Sequence, residues 1–179
     1  ASWLNATETA MAELKARHPN ELSAVRGIGL SGHMHGATLL NASGNVLRPC
    51  ILWNGTRSFA EAAELDAQPI FRHLTGNIVF PGFTAPKVLW VARHEPEVFA
   101  QTEKVLLPKD YLRLWLTGEY VSEMSDAAGT SWLDVGKRDW DASLLAATGL
   151  SLSHMPALVE GTAVSGYLRK DLAAHWGMP

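Results

Sequence analysis

Two imidazoles flank a thioether in Gly32-His33-Met34-His35-Gly36, the segment of this chain best equipped for chemistry. On a strand the i and i+2 side chains share a face, so His33 and His35 could offer two nitrogen ligands to a metal ion, as in metal-dependent hydrolases. A metal needs more ligands than two. His73, His94, His154 and His175 lie in polar, helix-like surroundings with no paired carboxylate at ligand spacing. A neutral imidazole also carries one donor and one acceptor, which suits His35 to holding a polar ligand. A third reading leaves one histidine facing solvent and the other satisfied by a turn.

Two further segments carry useful groups. In Leu52-Trp53-Asn54-Gly55-Thr56-Arg57, the indole of Trp53 is either core or a flat apolar wall for the C–H face of a sugar. Arg57 at a helix start opposes the helix dipole and so predicts a specific partner, such as an acidic side chain. A plain surface ion pair there would be worth under about 1 kcal/mol. In Ser125-Asp126-Ala127-Ala128-Gly129-Thr130, Asp126 is either a turn cap or a carboxylate available to sugar hydroxyls.

Several classes are excluded. Gly27, Gly29 and Gly32 spell G-x-G-x-x-G, but the dinucleotide motif needs those glycines to open a helix, and here they sit within a strand-like run. No G-x-x-x-x-G-K-[ST] occurs. A net charge of -3 without a lysine-arginine run gives nucleic acid no footing. No apolar run reaches the roughly 18 residues of a membrane span. One cysteine, Cys50, allows no internal disulfide and fits a reducing compartment. At 179 residues, 47% hydrophobic and 18% charged, the chain suits one soluble, cytoplasmic domain.

The elements that must position these groups read as follows. A helix covers 2–17 and stops at His18-Pro19. Val25, Ile28 and Leu30 have the character of a buried strand, and the histidines fall where it runs out into a loop. Ligands of open α/β sheets collect there. A β-meander continues through 37–40 and 46–47. Helices are predicted at 57–67, 69–75, 84–94 and 96–101, the third with Thr84 as N-cap and Pro86 in its first turn. A strand at 105–108, a helix at 109–116 closed by Thr117-Gly118, a strand at 119–121, a loop at 122–130 and a strand at 131–133 follow. Helices at 141–148 and 169–176 complete an α/β pattern with one mixed sheet. Ala1 is not an initiator methionine, and the chain enters directly on a helix, so it reads as a piece of a longer protein.

Taken in order, the segments Gly32–Leu40, Leu47–Asn54, Pro81–Lys87, Leu106–Arg113 and Ser125–Thr130 resemble the first half of the FGGY carbohydrate kinases, and within that family its xylulose-phosphorylating branch. The resemblance covers essentially the whole chain. It implies an actin-like ATPase, ribonuclease-H-like domain and an enzyme that uses ATP and Mg2+ to convert D-xylulose to D-xylulose 5-phosphate in pentose catabolism. A related ketopentose or a polyol is the alternative substrate. From other classes, a metal-dependent hydrolase using His33 and His35, or a non-catalytic sugar-binding module, stays open. The resemblance places Met34 and His35 against the sugar, Trp53 in the lining of its pocket and Asp126 in a loop near the cleft, and it allows a homodimer.

Two departures stand out. His33 occupies a place where glutamine is common, and Gly55 replaces the aspartate of W-x-D-x-R while Arg57 is kept. The resemblance also implies a D-x-G-T-type phosphate hairpin before Ala1 and a catalytic aspartate, in a G-G-x-D-N-type segment, beyond Pro179. Residues 1–179 would then be an incomplete N-terminal sugar-binding domain, with no catalytic residue of its own and no turnover alone.

Overall fold

Proline and glycine set the helix ends, much as the sequence requires. In the computed structural model, which describes residues 2–179, α1 runs Ser2–Arg17, and His18 leaves the helical region because Pro19 follows. The chain re-enters a single turn, α2 (Pro19–Ser23). Next come β1 (Thr38–Leu40), α3 (Phe59–Asp66), α4 (Pro69–Thr75), α5 (Thr84–His94) and α6 (Pro96–Phe99). β2 (Lys104–Leu106), α7 (Pro108–Thr117), β3 (Val121–Glu123) and α8 (Met124–Ala128) follow. The remainder is β4 (Leu133–Asp134), β5 (Asp139–Trp140), α9 (Ala142–Ala146), β6 (Ala157–Val159) and α10 (Lys170–Trp176). Left-handed Gly76, Gly118 and Gly177 close α4, α7 and α10.

Both parallel and antiparallel pairing occur, as expected of a mixed α/β fold, but as three short ladders among the described residues. β1 pairs antiparallel with β2, β3 parallel with β6, and β4 antiparallel with β5. Single bridges, Ala37 to Ile51 and Leu40 to Val46, stand in for the rest of the meander. The main core gathers Leu39, Ile51, Leu65, Phe71, Val88, Val91, Trp132 and Leu144 around β1 and α5. A second cluster joins Leu116, Leu172 and Trp176 under α7 and α10.

Two expectations need correcting. The glycine-rich run after α2 forms no ladder among the described residues, and Ile28 is exposed rather than buried. A strand is stable only when its backbone groups are paired, and this one has no neighbour here to pair with. It lies instead along a cavity of about 530 Å3 that the loop 160–168 also lines. The predicted loop 122–130 contains α8. Glu123 caps that helix, its carboxylate accepting from the backbone N–H groups of Ser125 and Asp126.

Candidate functional site

Because the glycine-rich run is not a strand, the two histidines do not share a face. Gly32, His33 and His35 all adopt left-handed conformations, with φ of 99, 46 and 63°. The histidine rings diverge. His33 approaches Trp3 at a centroid distance of 6.1 Å, whereas His35 packs on Phe83 at 4.7 Å. No group of three or more His, Cys, Asp or Glu side chains suited to a metal ion exists among the described residues, so the two-histidine metal reading finds no third ligand. Gly36 seats this turn on α7: a Cβ there would lie 2.5 Å from Cγ of Pro108 and 3.0 Å from Sγ of Cys50.

His35 is held from two sides. Its Nδ1–H donates to the carbonyl of Gly129, 2.9 Å away. A carbonyl can only accept, so the ring proton belongs on Nδ1 and Nε2 keeps its lone pair. Burial pushes the imidazole below the ordinary histidine pKa, and the positive charge of Lys87 adds to this, against the Gly129 bond and the charge of Asp126. The ring is therefore a neutral acceptor at neutral pH. On the other side, the His35 carbonyl accepts from Thr84 Oγ1 at 3.2 Å and from Lys87 Nζ at 2.8 Å. Thr84 is thus not the N-cap of α5. Phe83 holds that position, and the Thr84 hydroxyl turns to His35.

The same lysine reaches a second loop. Lys87 Nζ also donates to the carbonyl of Gly82. Gly82 lies against the backbone of Trp53, because a Cβ on it would sit 2.7 Å from the Trp53 carbonyl oxygen. The Trp53 side chain is far from core: it is 53% exposed, Met34 is 47% exposed and Phe80 is 49% exposed. Phe80 meets Phe83 edge to face at 5.6 Å. His35 thereby has an open apolar rim of aromatic rings beside it. Arg57, for which an acidic partner was expected, instead lies over the Trp90 ring at 5.2 Å, a cation–π contact.

Asp126 sits in the first turn of α8 with its side chain mostly covered. Its Oδ2 is buried and lies 2.6 Å from Lys109 Nζ, an ion pair without the angles of a hydrogen bond. Lys109 also contacts Oδ1 of Asp110 at 3.0 Å. Asp110, fully buried, further accepts from Arg113 at 2.8 Å and from Ser122 at 2.7 Å. This network fixes α8, and with it Gly129, against the start of α7. The large cavity beside residues 25–30 touches none of Met34, His35, Trp53 or Asp126.

The structure thus ties His35 to Trp53 through Lys87 and Gly82, and to the Asp126 segment through Gly129. The sequence reading missed Lys87, Phe83, Gly129 and Lys109. Their signal was present only as membership of the segments Pro81–Lys87, Leu106–Arg113 and Ser125–Thr130.

With this geometry in view, the comparisons with known proteins are specific. A family model described as "FGGY family of carbohydrate kinases, N-terminal domain" matches residues 1–179. The chain is 56% identical over 177 residues to a xylulose kinase of Escherichia coli K12, covering 98% of this chain and 36% of that protein. A crystal structure described as a "xyloylose kinase" from Brucella ovis superposes with a TM-score of 0.98 at 67% identity, over 99% of this chain and 37% of the other. The xylulose kinase of Rhodospirillum rubrum gives a TM-score of 0.86 at 32% identity, over 94% of this chain and 35% of the other. The chain spans about a third of the length of the curated relatives it matches, 36% for the first two.

Proposed function

The chain belongs to the FGGY family of carbohydrate kinases, and from that premise we propose that its parent protein transfers the γ-phosphoryl group of ATP to the 5-hydroxyl of D-xylulose. Residues 1–179 supply most of the sugar-binding domain in this reading. The observation that carries it is the identity of 56% and 57% with proteins named xylulose kinase over nearly all of this chain. The neutral acceptor of His35 beside an apolar rim supports it, since a pentulose offers both hydroxyls and C–H faces.

In this reading His35 Nε2 accepts a hydrogen bond from a sugar hydroxyl, and Met34 and Trp53 cover apolar faces. Asp126, with Oδ2 engaged by Lys109, offers Oδ1 to another hydroxyl. Phosphoryl transfer depends mainly on positioning and charge stabilisation, with a carboxylate accepting the hydroxyl proton. We place that carboxylate outside residues 1–179. The described residues offer no cluster fit for Mg2+, so none of them is assigned to the metal that accompanies ATP. Closure of the sugar domain onto the rest of the protein would exclude water from the γ-phosphate. The reading places the protein in the cytoplasm, where ATP is present and Cys50 stays reduced.

The test is a substrate panel on the full-length parent with ATP: D-xylulose, D-ribulose, glycerol and gluconate. We expect kcat/KM for D-xylulose to exceed each of the others by at least about tenfold, the discrimination a site built around substrate hydroxyls supports. A higher value for D-ribulose or glycerol would replace xylulose with a related ketopentose or polyol.

A further inference from the structure

We propose that Lys87 is the positioning residue of the sugar site, a buried ammonium that clamps the His35 turn to the Gly82 loop and so sets the spacing between His35 and Trp53. The inference rests on the sugar-site reading above and goes beyond it, because Lys87 itself reaches no solvent and is out of contact with any substrate.

Lys87 is fully buried, with a relative exposure of 0%. A buried charge normally requires an opposite charge. Among the described residues no carboxylate lies within ion-pair distance of this ammonium. Its partners are two main-chain carbonyls, His35 and Gly82. Each belongs to a loop that carries part of the site. The His35 carbonyl belongs to a residue with φ of 63°, a conformation a side-chain-bearing residue adopts only when its surroundings hold it there. Thr84, one turn earlier on the same helix, gives that carbonyl a second donor at 3.2 Å. The first turn of α5 therefore grips His35 by its backbone while Gly129 grips it by its ring. Gly82 passes the clamp on to Trp53, whose carbonyl leaves no room for a Cβ at that position.

Burial lowers the Lys87 pKa from 10.5 to about 8. The titratable groups facing it are the His35 imidazole and the Cys50 thiol, the latter raised by its own burial. Two effects of opposite sign follow. Between about 8 and 10.5 the folded protein binds fewer protons than the unfolded chain, so the stability cost of this charge is relieved as pH rises. Over the same rise the ammonium becomes an amine and its grip on the two carbonyls weakens. Raising the pH through 8 thus favours the fold at this residue while loosening the sugar site.

Initial-rate kinetics of the full-length parent test the proposal. Lys87→Met, which keeps the stem and removes the charge, is expected to raise KM for D-xylulose at least tenfold while KM for ATP stays within twofold. Thr84→Val, a near-isosteric change, should raise the same KM about threefold, and decides the matter if Lys87→Met fails to fold. In the wild type, KM for D-xylulose should rise above pH 8, and it should do so equally in Cys50→Ala. An independent readout is amide hydrogen exchange, which should quicken together in residues 33–36 and 80–83 of Lys87→Met. An unchanged KM for xylulose in both variants, with a flat wild-type profile across pH 8, would overturn the proposal and leave Lys87 a purely structural group. A wild-type parent that ignores xylulose would instead defeat the substrate assignment, and the clamp would then stand or fall on the exchange measurement.

Discussion

Gly129 decides where the His35 ring can lie. Its φ of -75° is open to any residue, so the constraint is one of space alone. A Cβ there would lie 2.7 Å from His35 Nδ1. In Gly129→Ala the ring must therefore move, and Nε2 moves with it. We expect KM for D-xylulose to rise about tenfold, equivalent to about 1.4 kcal/mol, with the melting temperature nearly unchanged. An unaltered KM would show that the ring position is immaterial to binding. His35, Trp53 and Asp126 stood out in the sequence as candidates because imidazole, indole and carboxylate announce their chemistry by type. Gly129 and Lys87 did not, because each matters only through an approach to a distant residue. Gly129 meets His35 across 94 positions, and Lys87 meets it across 52.

The start of α7 is the element on which the candidate site is mounted. Pro108 receives Gly36, Lys109 holds Asp126, and Asp110 binds Lys109, Arg113 and Ser122 at once. Removing one charge from such a buried group leaves the others uncompensated. Asp110→Asn should destabilise the parent by about 3–5 kcal/mol, seen as an earlier denaturation midpoint. A midpoint within error of the wild type would mean that the network is solvated rather than buried. Helices were the most legible elements: α5 spans 84–94 as its apolar spacing and Pro86 require. The strand predicted after α2 was not secure, because a strand depends on a neighbour that no local pattern can supply. α8 escaped notice because a five-residue helix has no periodicity to read, and only the cap from Glu123 marks it.

At the scale of the molecule, contacts link four separated parts of the chain: the 32–36 turn, Trp53, the 80–87 loop and helix start, and the 124–129 segment. None of them lines the large cavity beside residues 25–30. The α/β class and the family were both legible in the sequence, since ordered segments spread over the whole chain are far more specific than any one motif. The backbone path of the histidine turn was not, since a left-handed pair can be recognised only once the fold places it. The sugar site proposed for this chain depends on His35 meeting the sugar, and the most direct measurement is the kinetics of His35→Ala in the full-length parent. We expect KM for D-xylulose to rise at least about tenfold while KM for ATP stays nearly constant. Equal xylulose kinetics in mutant and wild type would contradict the assignment.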